Sequence, residues 1–169
     1  MNLIDILFSI GNDPLQYSLL FFTYAVLAAV ILPIPVEIGL FNFAIHPVIL
    51  VTVLALGKGV GSYFVFEIGV TARGKIKGWS EKTKISSKIV KYSEDFVKKY
   101  GYIGLFIILS TPLMIDSVSL YLFSLLNADK DGGKAMEMRW FVVINIVAGA
   151  VRGIITLAVF YYVGVKLVS

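Results

Sequence analysis

The chain consists of long apolar segments with single charged residues set deep within them. One segment runs from Leu15 to about Ile45 and is interrupted only by "LPIPVE", and a second runs from Pro47 to Ala72. An apolar helix of about 20 residues is long enough to cross roughly 30 Å of hydrocarbon. With 58% hydrophobic residues and a mean hydropathy of +0.87, the chain is more apolar than an ordinary soluble domain. These features predict an all-α integral membrane protein.

The second half of the chain repeats the order of the first. A third apolar segment, 102–126, is interrupted by "STPLMID", and a fourth covers about 140–165. Each half is therefore read as an apolar arm, a proline tip with an acid, a second arm and a long helix. Interrupted apolar segments at matching places in two halves are typical of transporters.

The prolines predict the tips of two hairpins. Pro33 and Glu37 have the same spacing as Pro112 and Asp116, and Pro35 adds a second break to the first tip. Proline removes a backbone donor and breaks a helix. Because broken backbone survives at membrane depth only where protein or trapped water satisfies it, we expect two re-entrant helical hairpins inside the bundle. A spanning helix kinked by proline is the alternative.

Two pairs of glycines predict close helix packing. Gly57 and Gly61 lie in the second apolar segment, and Gly149 and Gly153 lie at the same spacing in the last one. Small residues four positions apart allow membrane helices to approach closely. Together with the hairpin tips, the glycines indicate two inverted repeats.

The segment between the repeats is basic. Residues 73–99 contain nine Lys or Arg against three acids. Between membrane segments, this bias predicts a cytoplasmic stretch with an amphipathic interfacial helix; a nucleic-acid patch is the alternative. We expect a single membrane domain over 1–169, with repeats at about 15–72 and 100–166.

Four ionisable residues lie deep in apolar sequence, namely Glu37, Lys58, Asp116 and Arg152. Each costs about 2.5 to 3.5 kcal/mol at mid-membrane, and such residues pair or line a polar path. Pairs such as Glu37 with Arg152, or Asp116 with Lys58, fit the repeat, although the sequence does not choose the partners. We interpret the four as a transport or substrate-binding site, with a purely structural ion pair as the alternative.

Arg152 lies on a polar stripe of the last helix. Asn145, Gly149, Arg152 and Thr156 step by four, three and four residues, which is one helix face. A guanidinium binds phosphate or carboxylate in bidentate fashion, so Asn145 and Arg152 are predicted substrate contacts.

Several functional classes have no support in the sequence. There is no cysteine and one histidine, so neither a metal site nor another cofactor is expected. No nucleophile–base pair or phosphate-binding loop is present, and we predict that the protein is not an enzyme.

These segments resemble a known family. "LPIPVE", followed about twenty residues later by "ALGKGVGSYFVFEIG", is similar to the first half of the DedA/VTT (SNARE-associated) membrane protein superfamily. "YGYIGLFIILSTPLMIDSVSLYLFSLL" and "FVVINIVAGAVRGIITLAVFYYVG" resemble its second hairpin and last helix. Asp116 and the arginine of "AGAVRG" make the small YqaA-like branch the nearest likeness, over residues 17–165.

The resemblance implies two inverted repeats whose re-entrant hairpins face each other. Members are implicated in moving undecaprenyl phosphate and phospholipids, with proton coupling proposed for some. The positions carried over are Glu37, Asp116 and Arg152. Many members have an arginine just before the second-hairpin proline, where this chain has none in 109–111; Lys58 is the candidate to supply that charge.

The sequence and the resemblance together predict a multi-pass transporter or scramblase-like protein of the plasma membrane. Its expected partners are membrane lipids, either phospholipid or polyprenyl phosphate, and protons, but not nucleic acid; a homo-oligomer is left open. The alternatives are an exporter of small cations or drugs and a non-transporting membrane scaffold.

Overall fold

The computed structural model describes residues 13–31, 35–42, 44–80, 99–112, 116–125 and 136–168, and these ranges contain no β-strand. The predicted all-α class is therefore confirmed for the part of the chain that the structure describes. In chain order its elements are α1 (Pro14–Val30), a short 3-10 helix (Val36–Leu40), α2 (Pro47–Ser80), α3 (Lys99–Ser110), α4 (Asp116–Leu125) and α5 (Met138–Val168).

Two of these helices are long and apolar enough to cross a bilayer. The apolar portions of α2 and α5, Pro47–Ala72 and Met138–Val163, contain 26 residues each. At 1.5 Å per residue each portion is about 39 Å long, which exceeds the thickness of the hydrocarbon core. α1 and α3 are also apolar but shorter. The prediction that the second and fourth apolar segments form the two long helices is confirmed.

Local signals set the starts of the helices. The side chain of Asp13 accepts hydrogen bonds from the backbone N–H groups of Leu15 and Gln16, at 2.9 and 3.3 Å, and proline occupies the first position of α1. At the start of α2, Nδ1 of His46 accepts from the N–H of Val48 at 3.3 Å. Such caps satisfy backbone donors that have no partner within the helix.

The segment after α1 returns along that helix. The hydroxyl of Tyr24 donates to the carbonyl of Pro35 (3.2 Å), and the hydroxyl of Tyr17, two turns earlier in α1, donates to the carbonyl of Gly39 (2.9 Å). Between α1 and α2, the only helix in the described residues is the five-residue 3-10 helix Val36–Leu40. The predicted first helical hairpin is therefore not confirmed, and its second arm contains this short 3-10 helix in the described residues.

Proline and close packing explain this difference. Pro35 directly precedes the 3-10 helix, and as a proline it has no backbone donor to give to a helix. Gly39 lies so close to the ring of Phe21 that a Cβ atom would overlap the ring. A residue with a side chain does not fit at position 39, and the tyrosine hydroxyls satisfy carbonyls that an α-helix would have satisfied internally.

The second interrupted segment has both helical arms. α3 ends at Ser110, and Pro112 lies in the turn after that helix. Residues 113–115 are outside the described ranges, and Asp116 then begins α4. The two halves of the chain thus share an order of arms and differ in the secondary structure of one arm.

The long helix α2 continues into the basic segment. It ends at Ser80, so residues 73–80 of that segment are helical. Lysine and arginine are good helix formers, and a change from apolar to basic composition does not by itself end a helix. The remainder of the predicted interfacial segment, 81–98, lies outside the described residues.

The first glycine pair packs against α1. A Cβ atom on Gly57 would lie 2.7 Å from Cβ of Ala25, and one on Gly61 would lie 2.6 Å from Cβ of Ala29. Both contacts advance by four residues on each helix, so α1 and α2 run parallel. Both glycines thus lie where α2 comes close to α1, as small residues do at helix interfaces.

The second glycine pair packs against α2. A Cβ atom on Gly149 would lie 3.3 Å from Cα of Ala55 and 3.1 Å from Cδ of Lys58, and one on Gly153 would lie 3.2 Å from Cγ2 of Val51. Positions later in α5 meet positions earlier in α2, so these two helices are antiparallel. These two glycines lie where the backbones of α2 and α5 come together beside Lys58.

The outside of the bundle carries large apolar side chains. Leu15 is 80% exposed and Ile103 is 70% exposed, and the outer faces of the long helices continue this surface. Its members on α5 include Val143, Val147, Ile154 and Val159. The four ionisable residues that the sequence places deep in apolar segments have their side chains in the interior instead.

Candidate functional site

Four elements each contribute one charged side chain to the centre of the bundle. Glu37 is on the 3-10 helix, Lys58 on α2, Asp116 at the first position of α4 and Arg152 on α5. Their exposed fractions are 3%, 0%, 7% and 1%, so all four are buried. We call this group the charged quartet.

The quartet forms a chain of alternating charges. Nε and Nη2 of Arg152 both contact Oε1 of Glu37. Nη1 of Arg152 donates to Oδ1 of Asp116 at 2.7 Å, and Nζ of Lys58 lies 3.1 Å from the other carboxylate oxygen, Oδ2. The two pairs considered from the sequence are both present, and a third pair, Arg152 with Asp116, joins them.

Arg152 uses two different edges of its guanidinium. The edge formed by Nε and Nη2 faces Glu37, while Nη1 faces Asp116. A planar group with fixed donors can hold two acceptors at once in this way, whereas the single nitrogen of a lysine cannot reproduce the arrangement. Arg152 thus contacts both acids through separate nitrogens, and Asp116 contacts both bases.

The quartet lies near the middle of the two long helices. Lys58 is 11 residues from the beginning of the apolar portion of α2 and 14 from its end, whereas Arg152 is 14 and 11 residues from the two ends in α5. Lys58 lies beside Gly149, and Arg152 lies about one helical turn further along the same interface, where Gly153 packs against Val51 and Leu54. Each base is about 17 to 21 Å from the ends of its own apolar portion.

Charge balance decides whether such a cluster is tolerated. Two carboxylates and two cations sum to zero formal charge, and each acid contacts at least one base. Desolvating a charge costs several kcal/mol, and the cost is repaid only by close, well-oriented partners. Removing one member would therefore leave a buried charge without compensation.

Two tyrosines position the segment that carries Glu37, and the sequence analysis missed them. Tyr17 and Tyr24 are buried and hold the carbonyls of Gly39 and Pro35, on either side of Glu37. The sequence does contain a pattern that indicates them. Aromatic residues at positions 17, 21 and 24 are spaced by four and three residues, which puts Tyr17 and Tyr24 on one helix face.

The polar stripe of α5 faces the interior as predicted. Asn145 and Gly149 are buried with Arg152, and Oγ1 of Thr156 is enclosed although its residue is less deeply buried. Nδ2 of Asn145 donates to the carbonyl of Phe141 at 3.2 Å. The structure thus places the predicted substrate contacts Asn145 and Arg152 on one inner face; their role remains a prediction.

The predicted hairpin tips are only partly described. Pro35 lies at the start of the 3-10 helix and Pro112 in the turn after α3, and neither contacts the quartet through a described hydrogen bond. Pro33 lies outside the described residues. The prolines thus border the segments that carry the two acids.

Comparison of the chain with protein-family models, with curated proteins and with solved structures gives no match. The resemblance to the DedA/VTT superfamily therefore remains a prediction from short motifs.

Proposed function

We propose that this chain is a multi-pass protein of the plasma membrane that moves a phosphate-bearing lipid across the bilayer, as a transporter or a scramblase. The observation that carries the proposal is the guanidinium of Arg152, buried at mid-helix and held by two carboxylates. Large apolar side chains on the outside and charges in the centre suit a chain whose solvent is lipid. The resemblance to the DedA/VTT superfamily implies the same class of substrate.

A lipid phosphate can take the place of a carboxylate at Arg152. Guanidinium binds phosphate oxygens with the same bidentate geometry that it uses for carboxylate. In the described conformation, Glu37 occupies one edge of the guanidinium. When a headgroup phosphate displaces Glu37, protonation of the released carboxyl group keeps the centre near neutrality, which couples headgroup binding to a proton.

Glu37 is the member whose withdrawal disturbs the bundle least. It lies on a five-residue 3-10 helix, while Lys58 and Arg152 lie on the two longest helices. The backbone around it is held by the Tyr17 and Tyr24 hydrogen bonds. Because all four charges are at most 7% exposed, headgroup entry requires this segment or its counterpart at Asp116 to move.

The helix directions support an inverted-repeat arrangement as part of the proposal. α1 is parallel to α2, and α2 is antiparallel to α5, which is the last helix of the second half. Two halves of opposite orientation that meet at a mid-membrane site suit alternating access from the two sides. We include the basic segment 73–99 in the proposal as cytoplasmic.

One observation favours a second candidate function, a non-transporting scaffold. The quartet joins four elements in a closed cluster of zero formal charge, which is also what a structural staple requires. An exporter of cations fits less well, because a cationic substrate would compete with two resident cations for the same acids.

The test is lipid translocation in reconstituted vesicles. The purified protein is placed in vesicles of phosphatidylcholine and phosphatidylglycerol that contain either fluorescent phosphatidylethanolamine or fluorescent polyprenyl phosphate, with and without a pH gradient. Access of the label to external dithionite measures transfer between leaflets. The parent protein is expected to accelerate transfer of at least one of the two lipids over empty vesicles.

Arg152→Lys and Glu37→Gln separate transport from structure. Arg152→Lys retains the charge and loses the second edge of the guanidinium, so we expect it to remain folded and to lose transfer; Glu37→Gln is expected to lose the pH dependence. Arg139→Lys is the matched control, because Arg139 is exposed and pairs only with the exposed Glu137 in the described contacts. If both central variants transfer lipid as the parent does, the quartet is structural and does not bind the headgroup; a parent no faster than empty vesicles favours the scaffold.

A further inference from the structure

Two buried polar atoms lie on the same inner stripe of α5 as Arg152 and have no hydrogen-bond partner among the described residues. They are Oδ1 of Asn145, whose residue is 0% exposed, and Oγ1 of Thr156. A buried acceptor or hydroxyl that makes no hydrogen bond destabilises the fold, and such groups are uncommon in native proteins. A side chain needed only for packing at either position would be apolar.

Thr156 differs from three other helical threonines of the chain in the hydrogen bonding of its hydroxyl. The hydroxyls of Thr23, Thr52 and Thr111 donate to the carbonyl four residues earlier, at 3.0, 2.7 and 2.9 Å. This is the usual arrangement for threonine in a helix. Thr156 is also helical, yet its enclosed hydroxyl makes no such bond. Its rotamer leaves the hydroxyl available to a group that is absent from the described conformation.

The two atoms flank the guanidinium along the helix. Asn145 precedes Arg152 by seven residues and Thr156 lies four residues after it, which corresponds to about 10 Å and 6 Å along the axis of α5. Because α5 is one of the two described helices long enough to cross a bilayer, these steps run from one side of the membrane toward the other. Asn145, Arg152 and Thr156 therefore form a polar line on either side of the mid-membrane charge.

We propose that Asn145 and Thr156 are headgroup contacts on the two sides of Arg152, used before and after the phosphate binds the guanidinium. The inference rests on the proposed function, adds Thr156 as a binding residue and gives the predicted contact Asn145 a place on the other side of Arg152. The hydroxyl of Thr156 donates to a phosphate oxygen, and the carboxamide of Asn145 donates or accepts as the headgroup requires. Their lack of described partners in the closed conformation is then expected, since their ligand is present only during passage.

The proposal predicts opposite effects on stability and on transport. Thr156→Val and Asn145→Leu replace polar groups by apolar ones of similar shape. We expect Thr156→Val to melt in detergent at the parent temperature or above it, because it removes a buried atom without a partner. Asn145→Leu removes such an atom too but also loses the bond from Nδ2 to the carbonyl of Phe141, so we expect it to melt near the parent temperature. Translocation of fluorescent phosphatidylethanolamine and of fluorescent polyprenyl phosphate should slow by at least about tenfold for the lipid that the parent transfers, since a hydrogen bond to a charged group is lost.

Thr52→Val is the matched control. It makes the same chemical change on the exposed side of α2, where the hydroxyl is bonded to its own helix, and translocation should be unchanged. A Thr156→Val variant that melts below the parent would show that its hydroxyl has a structural partner such as a bound water, and would overturn the inference. So would parent-like translocation by both variants while Arg152→Lys is slow, which would leave the proposed function standing. A parent protein no faster than empty vesicles overturns both proposals.

Discussion

Replacing Arg152 by methionine is expected to remove more of the compensating charge from Glu37 than from Asp116. Asp116 keeps Lys58 at 3.1 Å, whereas Glu37 loses its contacts with both Nε and Nη2 of the guanidinium. Loss of one partner from a buried pair costs about 3 to 5 kcal/mol. Lys58→Met should cost less, about 1 to 3 kcal/mol, because Asp116 still accepts from Nη1 of Arg152.

The order of contacts predicts which second change restores stability. In the Arg152→Met background, Glu37→Gln removes the charge that lost its partner and should recover about 2 to 3 kcal/mol, whereas Asp116→Asn should recover less than about 1 kcal/mol. In the Lys58→Met background the preference reverses, because neutralising Asp116 leaves the contact between Arg152 and Glu37 intact. The two rescues are therefore specific to their partners.

These free energies of unfolding are measured in mixed micelles as the mole fraction of sodium dodecyl sulfate is raised, with helix content followed by circular dichroism. Arg139→Met is the control, because it removes an exposed ion pair with Glu137 that is worth at most about 1 kcal/mol. Equal rescue of Arg152→Met by Glu37→Gln and Asp116→Asn, or rescue by neither, would refute the alternating order of the quartet.

Three further predictions concern packing, backbone support and topology. Gly61→Ala should destabilise the detergent-solubilised protein by about 1 to 3 kcal/mol. The loss should exceed that of Gly153→Ala, because a Cβ at position 61 meets Ala29 at 2.6 Å while one at position 153 meets side chains at 3.2 Å or beyond. Equal melting curves for the two variants would contradict this. Tyr17→Phe should lose about 1 kcal/mol through its bond to the 3-10 segment, and an unchanged denaturation midpoint would count against that support. Cysteines at positions 44 and 139 should label from opposite sides of reconstituted vesicles, since α2 and α5 are antiparallel; same-side labelling would contradict the proposed spans.

Sequence alone predicted the helical class and the residues of the centre. A charge in an apolar segment costs free energy wherever that segment packs, so each such charge can be selected from the sequence as a candidate for the centre. The residues selected in this way are Glu37, Lys58, Asp116 and Arg152. The glycine pairs were equally accessible, since small residues at a spacing of four have few other uses in a membrane helix.

Only the tertiary structure determined the order of contacts. Four charges permit several pairings of equal formal charge, and the sequence does not fix the distances between elements that are far apart in the chain. The choice came from the antiparallel packing of α2 on α5, which brings Lys58 and Arg152 to the same interface, and from the start of α4, which places Asp116 between them.

The lack of information on distances between segments also explains why the sequence did not predict the 3-10 helix after α1. The return of the chain beside α1 as a 3-10 helix depends on Gly39 against Phe21 and on the hydroxyls of Tyr17 and Tyr24, which are contacts between segments 11 to 22 residues apart. Apolar composition and proline spacing predict that the helix breaks, because those effects are local. They leave open the conformation of the chain after the break, because it is decided by the partners that the backbone carbonyls find in the folded chain.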